Sequence, residues 1–279
     1  MRSDHPYQRD LEAGNYLLQS MEAALANEAN GTGISGAGVA DSPAILAGVD
    51  MNHSLDKEDY REKLDKYQSK LQDLVWKAHR ESRSMIAVFE GWDAAGKGSA
   101  IRRVTQAMDP QLFRLVQYAA PSDEELARHY LWRFWRHLGR DGRCTLFDRS
   151  WYGRVLVERV EGFAREDEWR RAYEEIRRFE WQLHHHGSVV LKFWLHITPE
   201  EQLRRFKERE QVPRKQHKIT EEDWRNRDKW PDYEQAVNEM IYRTDTDYAP
   251  WHVIPGNDKR YARIDILKAL CKALEGALD

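Results

Sequence analysis

Cysteine is nearly absent from this chain. Its 279 residues hold only Cys144 and Cys271, far apart and without the paired spacing of a zinc site. A disulfide framework is excluded, and both thiols are expected to be reduced, small core residues of a cytosolic protein. Long apolar runs are missing too. The best, Val189 to Ile197, is too short and too interrupted to cross a bilayer, so no membrane partner is expected. No apolar stretch follows Met1-Arg2-Ser3-Asp4-His5, so no secretory leader is expected. An excess of positive charge is also lacking. With 44 Lys and Arg against 47 Asp and Glu, the net charge is −3, so the surface as a whole is no trap for nucleic acid and any anion site must be local. What remains, 33% charged and 41% hydrophobic residues over a length sufficient for one sizeable α/β domain with extensions, suits a globular protein.

Asn27 to Gly48 is rich in Gly, Ala and Ser and lacks helical periodicity, so residues 27–55 read as a flexible linker. Before it, the helix-like piece Leu11 to Leu25 echoes the C-terminus. Leu17, Met21, Glu22, Ala24 and Leu25 align with Leu270, Leu274, Glu275, Ala277 and Leu278, and Asp4, Tyr7 and Arg9 align with Asp258, Tyr261 and Arg263 after a one-residue slip. Residues 1–26 are therefore expected to be the tail of a truncated preceding repeat, chance similarity being the alternative, and the folded domain spans 56–279.

Within that domain an amphipathic helix starts at Asp56, with Tyr60, Leu64, Tyr67, Leu71, Leu74 and Ala78 on one stripe. Strands are expected at Met85–Phe89, Phe113–Tyr118, Cys144–Phe147, Val189–Ile197 and Trp251–Ile254. Helices are expected over Ala100–Met108 and Glu166–His186 and after Ser122, Thr198, Thr220 and Tyr261. Strands alternating with helices imply a parallel sheet with helices on both faces, whose ligands sit at the C-terminal strand ends.

A glycine-rich turn, Gly91-Trp92-Asp93-Ala94-Ala95-Gly96-Lys97-Gly98-Ser99, falls between the first strand and the next helix. Strand, glycine turn, lysine, helix is the context of a phosphate-binding loop, whose amides and helix N-terminus favour anionic oxygens while Lys97 adds a point charge. Gly98 stands where Ser or Thr would ordinarily ligate Mg²⁺, and Ser99 comes one residue late. Asp93, a carboxylate among phosphates, is best explained by facing Mg²⁺. Asp148, ending the third strand, fits the second metal-holding position, and Arg149 could reach the transferring phosphoryl oxygens or else lie in a surface salt bridge. Arg204, Arg205, Lys207, Arg209, Arg214, Lys215 and Lys218, broken by Pro213, read either as a solvated helix face or, given their place after the fourth strand, as a basic lid over about 204–222. The aromatics of Trp132-Arg133-Phe134-Trp135-Arg136 read as packing, with Arg133 or Arg136 a candidate for an acceptor phosphate. His184–His186 read as a helix end rather than a metal site.

Glu90-Gly91-Trp92-Asp93-Ala94-Ala95-Gly96-Lys97-Gly98 and Phe147-Asp148-Arg149-Ser150-Trp151-Tyr152 resemble the two signatures of the polyphosphate kinase 2 family. Lys215-Gln216-His217-Lys218-Ile219-Thr220 is similar to its lid motif, and Ala249-Pro250-Trp251 and Asp258 to Arg263 resemble its C-terminal segments. Gly153 to Val160 looks most like the polyphosphate:AMP phosphotransferase branch. The resemblance implies a thymidylate kinase-like P-loop kinase fold with a helical basic lid. It also implies Mg²⁺-dependent phosphoryl transfer between inorganic polyphosphate and a nucleotide, with AMP to ADP the first expectation. It assigns Asp93, Lys97, Asp148 and Arg149 to catalysis and Asp93 and Asp148 to metal. Ala94, Ala95, Gly96, Gly98, Ser99, Arg133, Arg209, Lys215 and Lys218 are the expected phosphate- and nucleotide-binding residues. A homo-oligomer in the cytoplasm is expected, without nucleic acid. ADP as acceptor, an ATP-dependent nucleotide kinase, and a non-catalytic phosphate-binding module are the competing readings.

Overall fold

The computed structural model describes residues 42–213 and 219–279. The first helix, α1 (Lys57–Arg80), starts where Asp56 accepts hydrogen bonds from the amides of Glu58 at 2.8 Å and Asp59 at 2.9 Å. Then follow β1 (Met85–Gly91), α2 (Lys97–Thr105), β2 (Phe113–Gln117), two single-turn helices α3 (Asp123–Leu126) and α4 (Trp132–Trp135), and β3 (Cys144–Asp148). A 3₁₀ turn (Trp151–Arg154) leads to α5 (Val157–Val160), α6 (Glu166–His185) and β4 (Val189–His196). The chain closes with α7 (Pro199–Gln211), α8 (Glu221–Asp228), α9 (Trp230–Thr244), β5 (Trp251–Pro255) and α10 (Lys259–Leu278).

The five strands form one sheet in the order β2-β3-β1-β4-β5, with every pairing parallel. The expected α/β architecture is therefore observed. β1 is central and apolar, as a strand covered on both faces must be, and its first six residues are buried. Helix α10 packs on α1, α2 and the β4–β5 side of the sheet, whereas α6 and α9 are joined through Lys192 of β4, which bonds Glu180 of α6 and the Thr244 carbonyl of α9. The chain runs to one side of β1 through β2 and β3 and to the other through β4 and β5. Strand order reverses at β1, which places a crevice at its C-terminal end.

Some boundaries move. Helix α2 begins at Lys97, not Ala100, because Gly96 is its N-cap in the left-handed region (φ 113°). Helix α10 begins at Lys259, because Asp258 accepts from the amides of Arg260 and Tyr261. Within the stretch read as linker, Leu46 is buried and its amide donates to Asn238 Oδ1 at 2.9 Å, so this part is seated on α9. The proposed repeat tail, residues 1–26, lies outside the described residues. Both cysteines are buried and free, as expected. No helix among the described residues is long and apolar enough to cross a membrane.

Candidate active site

The glycine loop leaves β1 at Gly91, whose φ is 150° and whose Cα approaches β4 so closely that a Cβ would stand 2.6 Å from the Leu195 carbonyl oxygen. Ala94 (φ 60°) then turns through the left-handed region. In the resulting cradle the amides of Asp93, Ala94, Gly96, Lys97 and Gly98 find no acceptor among the described residues. Several aligned, unpaired N–H groups at a helix N-terminus form an anion-binding concavity. Lys97 Nζ lies back against the Gly91 carbonyl at 2.5 Å. The Ser99 hydroxyl is engaged by Gly96 O at 2.9 Å, and a side chain at Gly98 would meet open space.

The register pairs Phe89 with Asp148, so the end of β3 stands beside the root of the loop. Arg149 adopts a left-handed conformation (φ 65°), strained for a residue with a Cβ. Contacts on both sides hold it there. Its amide donates to Phe89 O at 3.2 Å, and both the amide and the hydroxyl of Ser150 donate to Glu90 Oε1 at 2.8 Å. Beneath the turn, Glu180 accepts from Trp151 Nε1 at 3.0 Å and from the Tyr152 hydroxyl at 2.7 Å, and Lys192 pairs with Glu180 at 2.8 Å. This buried ion pair anchors the two aromatics that follow Asp148-Arg149-Ser150.

Arg149 turns back toward the loop, 3.6 Å from Asp93 Oδ1. Partial desolvation of this half-exposed side chain works against the charge, but the surrounding carboxylates of Asp93, Glu90, Glu222 and Asp148 outweigh it and hold the guanidinium pKa above its ordinary value. Glu90, fully enclosed, has its pKa raised by burial against the opposing pull of Lys97, Ser150 and Arg149. Asp93 is further held by Asn226 Nδ2, which donates to Oδ2 at 2.9 Å, and by Gln202 Nε2, which donates to its carbonyl at 3.1 Å. Asp148 Oδ2 accepts from Gln117 Nε2 at 3.3 Å.

Two cavities meet at this point. The larger, a cleft of about 480 Å³, is lined by loop residues 92–99, Asp148, Arg149 and a mainly cationic flank of Arg205, Arg209, Lys259 and Arg263 that also holds Glu208 and Asp223. The smaller, about 80 Å³, is walled by Trp92, Trp194, Leu156, Val157 and Tyr233. Trp92, Asp93, Lys97 and Arg149 line both. The cleft thus unites Asp93, Lys97, Asp148, Arg149, Ala94, Ala95, Gly96, Gly98, Ser99 and Arg209. Lys215 and Lys218 lie outside the described residues. Arg133 borders neither cavity; it donates to Ala119 O at 3.1 Å, pairs with Glu125 at 3.3 Å and lies over the Tyr118 ring.

Arg205 is a correction to the lid reading. It is 2% exposed, bonds Glu201, and donates to Ala94 O at 2.9 Å, Ala95 O at 2.8 Å, Gly256 O at 2.6 Å and Asn257 O at 3.0 Å. It is a backbone clamp, and Arg204 beside it pairs with Glu201 and Glu208. Sequence reasoning also missed Asn226 and Gln202.

No group of three or more His, Cys, Asp or Glu side chains capable of holding a metal is present among the described residues. Two carboxylates, Asp93 and Asp148, nevertheless line the same phosphate-sized cleft. That donor set fits Mg²⁺, which is bound through one or two carboxylates together with substrate phosphates and water rather than by an all-protein cage.

A parallel sheet reversing at β1, a phosphate loop at its end, and an acidic strand end beside that loop define a P-loop kinase-like α/β protein. The polyphosphate kinase 2 family profile matches residues 54–278, and the chain belongs to that family. It is similar to the polyphosphate:AMP phosphotransferase of Pseudomonas syringae pv. tomato, with 50% identity over 273 residues, 96% of this chain and 55% of that protein. The polyphosphate:AMP phosphotransferase of Pseudomonas aeruginosa is 49% identical over 273 residues, again 96% of this chain and 55% of that one. The chain therefore spans about half the length of these curated relatives. The crystal structure of polyphosphate kinase 2 from Arthrobacter aurescens superposes with a TM-score of 0.80 at 36% identity, covering 83% of this chain and 85% of that one.

Proposed function

We propose that this chain transfers the terminal phosphoryl group of inorganic polyphosphate to AMP, giving ADP and a polyphosphate one unit shorter. The carrying observation is that Asp93, Lys97 and Arg149 line both cavities. The larger cleft, with its cationic flank and unpaired loop amides, suits a chain of repeating negative charges. The smaller, aromatic-walled cavity adjoins the same residues on the side where an acceptor would approach. An oxygen of the AMP phosphate attacks the terminal phosphorus, and the bond to the bridging oxygen breaks. Lys97 and Arg149 neutralise charge on the transferring group, and the loop amides orient it. Asp93 and Asp148 would hold Mg²⁺, which would neutralise charge on the phosphates. No covalent enzyme intermediate is needed.

The test is purified protein with Mg²⁺, long-chain polyphosphate and each nucleoside mono- and diphosphate in turn, with products resolved by chromatography. AMP is expected to be converted to ADP. Turnover with ATP and AMP but none with polyphosphate overturns the donor assignment, and turnover of ADP alone overturns the acceptor. Lys97→Ala is expected to lower kcat by about 10²–10³-fold, the scale of a lost charge-stabilising donor, with an unchanged melting temperature.

A further inference from the structure

Helix α8 contains no buried residue. A helix without an apolar face of its own is held by specific contacts or not at all. Beside Trp224 against Phe206 (ring centroids 5.1 Å apart) and the pair of Arg225 with Glu161, two of its contacts lead to Asp93. Asn226 donates to Asp93 Oδ2 at 2.9 Å. Arg227 donates to Gln202 Oε1 at 3.0 Å and to Pro199 O at 2.8 Å, and Gln202 in turn donates to the Asp93 carbonyl at 3.1 Å. Asp93 is thus gripped by both helices that flank residues 212–220, through its side chain by α8 and through its backbone by α7.

The orientation of the Asn226 amide is set by Asp93, whose carboxylate can only accept and so requires the NH₂ to face it. Behind it, Asn226 Oδ1 accepts from the Tyr233 hydroxyl at 3.2 Å, which shares its one proton with Glu161 Oε1 at 3.4 Å, and Glu161 pairs with Arg225 at 3.1 Å and Lys229 at 3.0 Å. A neutral amide is the appropriate donor here. It fixes one carboxylate oxygen without cancelling its charge, and leaves Oδ1 turned to Arg149 at 3.6 Å.

We infer that Asn226 is a positioning residue for phosphoryl transfer, acting through Asp93 and backed by Tyr233. The inference rests on the reading of Asp93 as part of the reacting site. A misplacement of about 1 Å in such a group can lower a rate on the order of 10²-fold. Asn226→Ala is accordingly expected to lower kcat by about 10- to 100-fold, with KM for polyphosphate changed less than about threefold. Asn226→Asp keeps the shape but sets an acceptor against a carboxylate, and is expected to fall below Asn226→Ala. Tyr233→Phe is expected to lose less than either.

The decisive experiment is the cycle of Asn226→Ala and Asp93→Asn under single-turnover conditions, with thermal melts of all four proteins. If Asn226 acts through Asp93, its removal costs nothing further once Asp93 has become Asn. A kcat for Asn226→Ala within twofold of the parent, Asn226→Asp performing as well as Asn226→Ala, or a full additional loss in the Asp93→Asn background overturns the inference. A parental rate for Asp93→Asn alone instead removes Asp93 from the reaction, and so fails separately.

Discussion

Arg205 donates to the carbonyl of Ala95 at 2.8 Å across 110 residues of sequence. The same guanidinium reaches Ala94, Gly256 and Asn257, so one buried side chain fastens the phosphate loop to the end of β5 and the root of α7.

Replacing Arg205 by Ala leaves four carbonyls without their donor, whereas Glu201 keeps its pair with Arg204. Leaving buried acceptors unsatisfied costs about 1–3 kcal/mol, read as a lower midpoint in urea unfolding. Arg205→Lys is expected to recover only part of this, because an ammonium cannot span two pairs of carbonyls. Midpoints for both variants equal to the parent would show that the clamp is idle.

Lys259, on the cationic flank of the cleft, has its pKa lowered to about 8, chiefly by burial and then by the neighbouring Arg205. Below pH 8 it is protonated and attracts the anion; above pH 8 it loses that charge. KM for polyphosphate is therefore expected to rise several-fold from pH 7 to pH 9 at constant ionic strength. Lys259→Arg stays charged throughout and is expected to flatten the rise. Parallel profiles for the two proteins would dissociate Lys259 from the donor.

Trp92 Nε1 donates to His196 Nδ1 at 3.0 Å, which requires neutral imidazole, and burial lowers the His196 pKa to about 4. Between the unfolded value near 6.5 and the folded value near 4, the unfolded chain binds a proton that the folded chain does not. Stability from this site is full above about pH 6.5 and declines as pH falls toward 4, by about 3 kcal/mol at most. Denaturation at pH 7 and pH 4.5 is expected to show a smaller acid loss for His196→Gln than for the parent. An identical loss would contradict the assignment.

The sheet and the loop were legible because their signals are local. An apolar strand followed by Gly91, Gly96 and Lys97 carries its own geometry, and Asp148 sits at the end of a run that is buried as a unit. Arg205 was misread because a cation in a basic run looks solvated until its partners, far off in sequence, are known. Asn226 carries no sequence signal at all; its role exists only because α8 returns to a loop 133 residues earlier. Arg133 looked like an anion ligand by its neighbours in sequence, but Ala119 O, Glu125 and the Tyr118 ring hold its guanidinium away from both cavities.

Trp92 lies beside Asp93 in the chain, with its indole face to face with Trp230 at 3.7 Å between centroids and 11° between planes, and edge-on to Trp194 at 5.6 Å. Coupled indoles at such spacing share their electronic transitions. The glycine loop therefore carries a built-in chromophore, and near-ultraviolet circular dichroism would follow rearrangement around the smaller cavity without any added label.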